Sequence, residues 1–466
     1  MKKSKLPLIE NLEIIDIASK GMVIGKDNDR VIFVKGLVPG DIADVQLIRK
    51  KKSYFEGVPV NIRTYSKFRT EPFCEHFGDC GGCKWQHMLY EAQLKFKEKQ
   101  VKEQLLRIGS LTFPDPEPIL PSEKIKYYRN KLEYSFSDKA WFTKEDIESG
   151  KEFNVTKALG FHAPGRFDKV LQIAKCYLQE EPTNLIRNFI HNYAVQNDLS
   201  YYNPKTHTGL LRNLMIRITR KSEVMVVLVV SEFSQEIESL LTHVRDDFPH
   251  IDSLMYIVNT KKNDSIFDLD VELFSGRPTI TEELDGLEFK IGPKSFFQTN
   301  TLQTETLYHE VEKMTKTDTT KHIYDLYSGT GSLSLYLARN AKKVTGVEIV
   351  EEAVNDAKIN AEINGLSNLS FFAGDMRYVL SSAFIKKEGK PDIIVLDPPR
   401  AGVHKDVIRR VVDVLPEKIV YVSCNPATQA RDISLMEDAF KIKKVQPVDM
   451  FPHTHHVENI VLLEKK

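Results

Sequence analysis

Apolar and polar residues alternate along the first sixty residues of the chain, which is the pattern of half-buried β-strands. The alternation runs through Leu12–Asp16 and again through Asp41–Leu47. The runs are separated by four glycines, Gly21, Gly25, Gly36 and Gly40. Residues 8–62 are therefore predicted to form a small five-stranded β-barrel, an architecture that often binds nucleic acid. A barrel without a binding role fits the same pattern.

The next segment changes to a helical period. Apolar side chains recur at helix spacing at Tyr90, Leu94, Val101 and Leu105, with Lys and Glu between them. This pattern predicts a helix over 89–108, closed by Gly109. Residues 125–280 then mix strand-like runs, such as Met225–Val230, with short helical ones, and residues 259–264 are predicted to be a hairpin tip.

From about residue 300, helical segments alternate with short buried strands. The predicted strands are His322–Leu326, Lys343–Val347, Leu369–Phe372, Ile393–Leu396 and Lys418–Val422. Strands that alternate with helices in this way form a parallel, doubly wound α/β sheet. Ligand-binding residues of such sheets collect at the carboxyl ends of the strands, so the residues that follow each strand are the first candidates for a site.

Length and composition are those of an ordinary globular protein of two to four domains. The chain has 466 residues, of which 41% are hydrophobic and 28% are charged. No run of about 18 apolar residues is present, and no apolar secretory core follows the basic residues 1–5. We therefore expect a cytoplasmic protein without a membrane span.

Charge is balanced over the whole chain but not along it. The formal net charge is zero, whereas residues 1–70 hold 14 Lys or Arg against 8 Asp or Glu. The basic run Arg49–Lys52 lies within this surplus, where it is able to contact phosphates. A solvated turn between two strands explains the run equally well.

The five cysteines are Cys74, Cys80, Cys83, Cys176 and Cys424. An odd number excludes a fully paired disulfide framework and favours a reducing compartment with metal or catalytic roles. Three thiols lie on one glycine-containing loop, and with the distant Cys176 they are able to form a four-thiolate site for zinc or for an iron–sulfur cluster. The spacing is not that of a usual zinc ribbon, and cysteines without any metal stay an open alternative.

Glycines and acidic residues follow the first three predicted strands of the α/β region. The segment Asp325–Ser332 reads Asp-Leu-Tyr-Ser-Gly-Thr-Gly-Ser, and its glycines let the backbone turn sharply and approach a ligand closely. Glu348 ends the second strand, where a carboxylate accepts hydrogen bonds from both ribose hydroxyls of a nucleoside. Gly374 and Asp375 follow the third strand. Together these residues favour a cofactor that contains adenosine.

The fourth and fifth strands are followed by candidates for catalysis. Asp397–Arg400, with the sequence Asp-Pro-Pro-Arg, is a rigid extended turn that presents the carboxylate of Asp397 to the same cleft. Cys424 follows the fifth strand, and its position beside the cofactor loop favours a nucleophile over a buried apolar residue. The segment His453–Asn459 contains three histidines, whose crowding speaks against a metal site. It also contains Glu458, a candidate base.

These motifs together resemble the bacterial 23S ribosomal RNA uracil-5-methyltransferases and the related tRNA enzyme, over nearly the whole chain. The matching segments are Phe296–Asn300, Asp397–Arg400, Ser423–Thr428 and His456–Glu458. The resemblance implies that residues 1–63 form a TRAM-like, RNA-binding barrel of OB-like fold. It implies further that residues 64–290 form a mixed α+β central domain with an RNA-binding surface, and residues 291–466 a Rossmann-like, S-adenosylmethionine-dependent methyltransferase domain.

The resemblance also assigns roles to residues. Cys424 is implied to be the nucleophile and Glu458 the general base. The implied contacts of the donor S-adenosylmethionine are Gln298, Tyr327, Ser332, Glu348, Asp375 and Asp397, where Ser332 and Asp375 stand at positions that often carry Asn in relatives. The implied ligands of a [4Fe-4S] cluster are Cys74, Cys80, Cys83 and Cys176.

The implied reaction explains why these residue types are needed. Carbon 5 of uracil is a poor nucleophile, and a thiolate that adds to carbon 6 turns the ring into an enolate whose carbon 5 attacks the sulfonium methyl group. A base then removes the carbon 5 proton so that the thiolate leaves. The expected substrate is a uridine in a single-stranded loop of 23S ribosomal RNA, which leaves its stack to enter the pocket. One chain holds all the expected parts, so a monomer without an obligate protein partner is predicted.

Candidate RNA contacts of the central region are Arg129, Asn130, Lys131, Arg212 and Asn213. Three other functions compete with the favoured one. A tRNA uracil-5-methyltransferase applies the same chemistry to another RNA. A methyltransferase for exocyclic amines needs an aromatic residue where Arg400 stands, and it needs no cysteine nucleophile. A non-catalytic iron–sulfur protein that binds RNA leaves Cys424, Asp397 and Glu458 without a role.

Overall fold

The computed structural model describes residues 6–150 and 156–466, so the basic residues 1–5 lie outside the described part of the chain. The described residues form an N-terminal barrel, a central seven-stranded sheet, a two-stranded hairpin and a C-terminal seven-stranded sheet. No helix of these two ranges is long and apolar enough to cross a membrane.

The N-terminal region is a closed five-stranded barrel, as the alternating pattern predicts. Its strands are β1 (Leu8–Ile17), β2 (Val23–Asp27), β3 (Arg30–Val34), β4 (Ile42–Lys50) and β5 (Tyr54–Thr64), with a 3-10 turn at Ser19–Gly21. The strand order is β1-β2-β3-β5-β4, and all pairs are antiparallel except β3 with β5. Leu12, Val34 and Val45 fill the interior, because alternate residues of a strand face the same side.

The predicted helix is confirmed as α1 (Tyr90–Arg107), and it packs against the C-terminal α/β sheet. Val101 and Leu105 are fully buried in the core of that sheet. Gln93 and Lys97 are fully buried as well, although the helical pattern predicts solvent exposure for polar residues. The helix therefore belongs to the C-terminal α/β layer of the molecule and brings two polar side chains into it.

The central sheet is covered on one face by helices. Its strands are β6 (Lys131–Ser137), β7 (Ala158–His162), β8 (Val170–Gln172), β9 (Leu211–Ile218), β10 (Val224–Val230), β11 (Ile251–Val258) and β12 (Glu272–Gly276), in the order β12-β11-β10-β9-β6-β7-β8. Its helices are α2 (Lys144–Glu148), α3 (Thr183–Gln196) and α4 (Gln235–Asp247). The connection between β11 and β12 spans residues 259–271, so the predicted hairpin tip at 259–264 is part of a longer loop. A separate hairpin, β13 (Ile280–Leu284) and β14 (Leu287–Ile291), follows.

The C-terminal sheet is the predicted doubly wound α/β sheet with one difference. Its strands are β15 (His322–Leu326), β16 (Lys343–Glu348), β17 (Leu369–Ala373), β18 (Ile393–Leu396), β19 (Lys418–Ser423), β20 (Phe440–Val448) and β21 (Glu458–Lys465). The first five are parallel, whereas β21 pairs antiparallel with both β19 and β20. The sheet is therefore mixed rather than wholly parallel, and the antiparallel return places Glu458 next to the end of β19.

The helices of this region flank the sheet, and the strand order locates its cleft. They are α5 (Thr301–Thr315), α6 (Ser332–Ala338), α7 (Glu351–Ile363), α8 (Met376–Val379), α9 (Ser382–Glu388), α10 (Lys405–Val414) and α11 (Pro426–Ser434). The strand order is β17-β16-β15-β18-β19-β21-β20, so the direction of winding reverses between β15 and β18. Ligands of open α/β sheets bind at this reversal, outside the carboxyl ends of the strands.

Candidate active site

The glycine loop after β15 is shaped for close approach by a ligand. Gly331 adopts a φ of 82°, and a Cβ there would meet the side chains of Ala357 and Leu335 at 2.9 and 3.0 Å. Gly329 also has a positive φ of 52°, but nothing lies within 4 Å of its Cβ position. One glycine is thus required by packing against α6 and α7, and the other leaves open space above the loop.

Glu348, at the end of β16, holds its carboxylate in a fixed position beside this loop. One oxygen accepts a hydrogen bond from Gly329 N at 3.1 Å, and the other accepts from Ile349 N at 2.8 Å and Val350 N at 3.0 Å. Each carboxylate oxygen has further acceptor capacity. The carboxylate is therefore oriented by the backbone before any ligand binds.

The other predicted donor contacts surround the same loop, and several have partners within the protein. Ser332 Oγ lies 2.7 Å from the hydroxyl of Tyr308. Asp375 caps α8 and accepts from Arg377 Nε at 2.9 Å. Tyr327 is half-buried in a left-handed conformation with a φ of 70°. These partners fix the side chains in place and leave fewer of their polar atoms free for a ligand.

Gln298 lies on a loop that joins the α/β region to the central sheet. Its carbonyl oxygen accepts from Asn130 Nδ2 at 2.9 Å, and the carbonyl of Thr299 accepts from Asn130 N at 2.8 Å. On the other side, Thr330 of the glycine loop donates its hydroxyl to Phe296 O at 3.1 Å. Asn130 therefore supports the backbone of the loop that carries Gln298, a role that differs from its predicted contact with RNA.

Cys424, Glu458 and Asp397 share one electrostatic environment at the ends of β18, β19 and β21. Burial is the largest cause that raises the pKa of the Cys424 thiol to about 11, and the neighbouring carboxylates of Glu458 and Asp397 contribute in the same direction. Burial also raises the pKa of Glu458 to about 8 and that of Asp397 to about 7. The structure thus brings together a thiol and two carboxyl groups whose protons are all held more tightly than in water.

Arg400 is the counterion of this group, and sequence reasoning missed it. Its positive charge lowers the pKa of Cys424 and of Glu458 against the effect of burial. Its carbonyl oxygen accepts from Asn425 Nδ2 at 3.1 Å and from Thr428 Oγ1 at 3.3 Å, which joins its loop to that of Cys424. The signal was present in the sequence, because a cation three residues after Asp397 follows the same strand end.

A second missed residue is Asp325 at the end of β15. It is fully buried, it accepts a hydrogen bond from Ser334 Oγ at 2.5 Å, and burial raises its pKa to about 7. The charges of Asp397 and Glu348 contribute to this raised pKa in the same direction as burial. The floor of the cleft therefore carries several carboxyl groups that a bound cation would help to ionise.

The other four cysteines line a separate cavity of about 30 Å³. Its wall is Cys74, Cys80, Cys83 and Cys176 together with apolar side chains that include Phe77, Phe161, Ile173 and Leu178. All four thiols are free, and burial raises the pKa of Cys80 to about 12 and that of Cys83 to about 11. Within the described ranges, no group of three or more His, Cys, Asp or Glu residues is arranged to hold a single metal ion.

Arg187 adds an unusual charge next to this cavity. Its side chain is fully buried and donates to Asn184 Oδ1 at 3.0 Å and to Ala174 O at 2.9 Å. No carboxylate among the described residues forms an ion pair with it, although its charge lowers the pKa of Cys176. A buried cation without a carboxylate is costly unless another negative group is near, and the thiols are the groups that are able to supply this charge.

The predicted RNA contacts Arg212 and Asn213 are wrong. The Arg212 guanidinium is buried and donates to the carbonyl oxygens of Asn259, Lys261 and Asn263 at 2.5, 2.6 and 2.9 Å. It therefore supports the loop after β11. Asn213 is also buried, since it lies in the middle of the central sheet.

Comparisons with known proteins agree with this geometry. Residues 277–466 match the family model described as tRNA (Uracil-5-)-methyltransferase. A protein of Bacteroides thetaiotaomicron, described as an uncharacterized RNA methyltransferase, is 49% identical over 96% of this chain and 100% of its own length. A Chlorobaculum tepidum protein with the same description is 40% identical over 98% of this chain and 96% of its own length.

A solved structure extends the likeness to the whole fold. The tRNA (uracil-54, C5)-methyltransferase of Pyrococcus abyssi, in complex with S-adenosyl-L-homocysteine, aligns with a TM-score of 0.73 and 29% identity. The alignment covers 97% of this chain and 100% of that one. The chain therefore belongs to the RNA uracil-5-methyltransferase family and is an S-adenosylmethionine-dependent methyltransferase.

Proposed function

We propose that this protein methylates carbon 5 of a uridine in 23S ribosomal RNA through a covalent bond between Cys424 and carbon 6 of the base. The observation that carries the proposal is the shared environment of Cys424, Glu458 and Arg400 beside the glycine loop. Transfer to an exocyclic amine needs no thiol nucleophile, so this arrangement speaks against that chemistry.

The cleft fits the methyl donor in shape and charge. S-Adenosylmethionine supplies an electrophilic methyl group on a sulfonium cation. Gly329 leaves room for it, Glu348 offers oriented oxygens to ribose hydroxyls, and the raised pKa values of Asp325 and Asp397 fall when a cation binds nearby. The proposed donor contacts are Gln298, Tyr327, Ser332, Glu348, Asp375 and Asp397.

Thiol addition is the first step that the chain's own residues perform. Cys424 loses its proton to solvent, with Arg400 stabilising the thiolate, and its sulfur forms a bond to carbon 6 of uracil. The electrons of the carbon 5–carbon 6 double bond move into the ring to give an enolate. Carbon 5 then takes the methyl group as the donor's carbon–sulfur bond breaks and S-adenosylhomocysteine is left.

Proton removal by Glu458 is the second step. The base is buried, which raises its pKa to about 8, so the ionised carboxylate is a stronger base than an exposed glutamate. It removes the carbon 5 proton, the double bond re-forms, and the bond between Cys424 and carbon 6 breaks to release the thiolate. The proton then passes from Glu458 to solvent, which balances the reaction.

The four-cysteine cavity is proposed to hold a [4Fe-4S] cluster on Cys74, Cys80, Cys83 and Cys176. Four thiolates on one zinc ion stand roughly 3.8 Å apart, given a zinc–sulfur distance of about 2.3 Å, and the described cysteines have no such grouping. Thiols that surround a void suit a cluster whose iron atoms each take one ligand. The uncompensated charge of Arg187 also suits an anionic occupant.

RNA binding is proposed for the barrel as a TRAM-like domain. Arg49–Lys52 are exposed at the end of β4 and after it, next to the exposed apolar side chain of Ile48. Lysine and arginine neutralise phosphates, while apolar surface contacts unstacked bases. The enzyme is proposed to work as a monomer, because the catalytic residues all come from one chain.

A tRNA uridine is the second candidate substrate. It is favoured by the likeness to the Pyrococcus abyssi enzyme, which acts on uracil 54 of tRNA. The chemistry at Cys424 is the same for both substrates, so only the RNA-binding surfaces distinguish them.

The test of the function is nucleoside mass spectrometry on unmodified transcripts. The purified protein is incubated with labelled donor and either a 23S ribosomal RNA transcript or a set of tRNA transcripts. We expect labelled 5-methyluridine from the ribosomal transcript. Label in tRNA alone contradicts the substrate and keeps the chemistry, whereas label in another nucleoside contradicts the reaction.

A further inference from the structure

The loop that leads to Glu458 is held from four directions. We call residues 449–457, which join β20 to β21, the base loop. Four consecutive carbonyl oxygens of this loop accept hydrogen bonds from different parts of the chain. The pairs are Asn300 Nδ2 to Met450 O at 2.9 Å, Lys97 Nζ to Phe451 O at 3.0 Å, Tyr128 hydroxyl to Pro452 O at 3.0 Å, and Lys84 N and Trp85 N to His453 O at 2.8 and 3.0 Å. The base loop is therefore placed by tertiary contacts and not by its own secondary structure.

Gln93 of α1 is the centre of the contacts around His453. It is fully buried, and its Oε1 accepts from His453 N at 2.8 Å. Its Nε2 lies 3.0 Å from Trp85 O, 2.9 Å from Met88 O and 3.2 Å from His453 Nδ1. One side-chain amide thus joins the base loop to the segment that follows Cys83, and no other element supplies a partner for His453 N in the described chain.

His453 needs such support because of its backbone conformation. Its φ is 64°, in the left-handed region that residues other than glycine rarely adopt. Its peptide is fixed at both ends, by Gln93 at the nitrogen and by Lys84 and Trp85 at the carbonyl oxygen. The turn continues to His456, whose N–H donates to Thr454 Oγ1 at 3.2 Å, directly before Val457 and Glu458. A shift at His453 is therefore passed along a short, bonded turn to the base.

We propose that Gln93 is a positioning residue for the general base: by holding His453 in its left-handed conformation, it sets the place of the Glu458 carboxylate relative to carbon 5 of the target uridine. This inference rests on the proposed function. Proton transfer is sensitive to displacements of about 1 Å. Cys424 lies on a different loop, which is bonded to Arg400 and not to Gln93. The pairing of β19 with β21 lies beside both groups, and the contacts of Gln93 are a support that only the base loop has in addition.

A positioning role for Gln93 predicts that its loss affects proton removal but not thiol addition, and an experiment is able to detect this difference. Loss of the Gln93 amide slows proton removal, because the base is displaced, but it leaves thiol addition unchanged. The covalent RNA adduct then accumulates before the thiolate is released. A residue with only a structural role slows both steps together and produces no such excess.

The test compares Gln93→Leu with wild type and with Gln100→Leu on a 23S ribosomal RNA transcript. Gln100 lies two turns further along α1, and its Oε1 has no hydrogen-bond partner among the described residues, so it controls for the change of side chain. Adduct is measured on denaturing gels with ordinary transcript and with transcript that contains 5-fluorouridine. Fluorine at carbon 5 cannot be removed by a base, so the fluorinated RNA reports thiol addition and methyl transfer alone.

For Gln93→Leu we expect about tenfold lower kcat, a KM that falls by a similar factor because the slowed step follows methyl transfer, and about tenfold more steady-state adduct on ordinary transcript. The rate of adduct formation on fluorinated transcript stays within about twofold of wild type. The Gln100→Leu control behaves as wild type in both assays. Gln93→Met, which keeps an unbranched side chain, is expected to give the same result and replaces the leucine variant if that one does not fold.

Hydrogen exchange provides a readout that does not depend on activity. The amides of the base loop are expected to exchange faster in the Gln93 variants than in Gln100→Leu. Equal slowing of adduct formation and of kcat, or no change in either, overturns the proposal. Glu458→Gln is measured in parallel. If Glu458→Gln accumulates adduct and neither Gln93 variant does, Glu458 stays the assigned base and the positioning role of Gln93 is overturned. If Glu458→Gln does not accumulate adduct, the assignment of the base fails and this inference fails with it.

Discussion

The five cysteines of this chain occupy two environments that differ in the neighbours of the sulfur atom. Cys424 lies after β19 beside Arg400 and the carboxyl groups of Glu458 and Asp397. The other four thiols face one another across an apolar cavity, with a buried arginine behind them. Burial raises the thiol pKa in both places, to about 11 for Cys424 and about 12 for Cys80.

The comparison teaches that the pKa of a thiol does not by itself predict its role. At Cys424, the Arg400 cation and the carboxyl groups of Glu458 and Asp397 lie beside a single sulfur at the end of β19. In the cavity, the charges of other cysteines act on Cys80, Cys83 and Cys176, an arrangement that a bound metal centre stabilises by taking the thiols as thiolates. The first environment suits a nucleophile and the second a set of ligands.

The largest expected effect comes from removal of the Cys424 thiol. Cys424→Ala is expected to lower kcat by about 10⁴-fold or more, because no other group of the cleft is able to add to carbon 6. Iron content and the free energy of unfolding should stay at wild-type values. The measurements are methyl transfer to the transcript, iron analysis and chemical denaturation. Turnover above about 1% of wild type contradicts the role of Cys424.

Replacing a cavity thiol should give the opposite profile. Cys176→Ser keeps the backbone hydrogen bonds to Asn184 and changes only the sulfur. We expect loss of iron and of visible absorbance, with a decrease of about 3 kcal/mol in the free energy of unfolding. A variant that binds iron normally and unfolds like wild type shows that the cavity holds no cluster.

The cation beside Cys424 is the next feature to remove. Arg400→Gln raises the thiol pKa, so adduct formation on fluorinated transcript should slow by about 10- to 100-fold at neutral pH. The rate should recover in part at higher pH, because the thiolate fraction increases. Arg409→Gln is the matched control, since Arg409 is exposed on α10 and paired with Asp406. A uniform decrease at all pH values contradicts a role in thiolate formation.

The smallest expected effect concerns the carboxyl groups of the cleft. Asp397 has its pKa raised by burial from 3.8 to about 7, so the folded protein binds an extra proton between these values. The free energy of unfolding contributed by this group therefore falls as pH rises through this window. Asp397→Asn removes the effect, so the variant should gain stability relative to wild type as the pH rises from 4 to 8, although it loses methyl transfer. Chemical denaturation at pH 4 and pH 8 checks this, since the difference should be larger at pH 8.

Much of the fold follows from the sequence because its signals are local. The alternating barrel strands and the helical period of α1 each depend on neighbouring residues. The residues after β15, β16, β18 and β19 were predicted to share a cleft because topology alone brings parallel strand ends together. This part of the site required no knowledge of side-chain packing.

The remainder depends on contacts between distant segments, which no local pattern encodes. Gln93 and Lys97 look like the polar face of α1, yet their partners lie in the base loop more than 350 positions away. Arg212 looks like a surface cation of a strand, yet three carbonyl oxygens of one loop surround it. A sequence pattern predicts that charged and amide groups are exposed to solvent. Only the folded chain reveals which of them are buried with hydrogen-bond partners.

The central claim is that Cys424 forms the bond to the RNA base. The most direct measurement is mass spectrometry of peptides after the protein has reacted with donor and fluorinated 23S ribosomal RNA transcript and both partners have been digested. We predict one modified peptide, which contains Cys424 and carries a methylated 5-fluorouridine nucleotide. A nucleotide attached to any of the four cavity cysteines, or methylated RNA without an attached peptide under these conditions, contradicts the account.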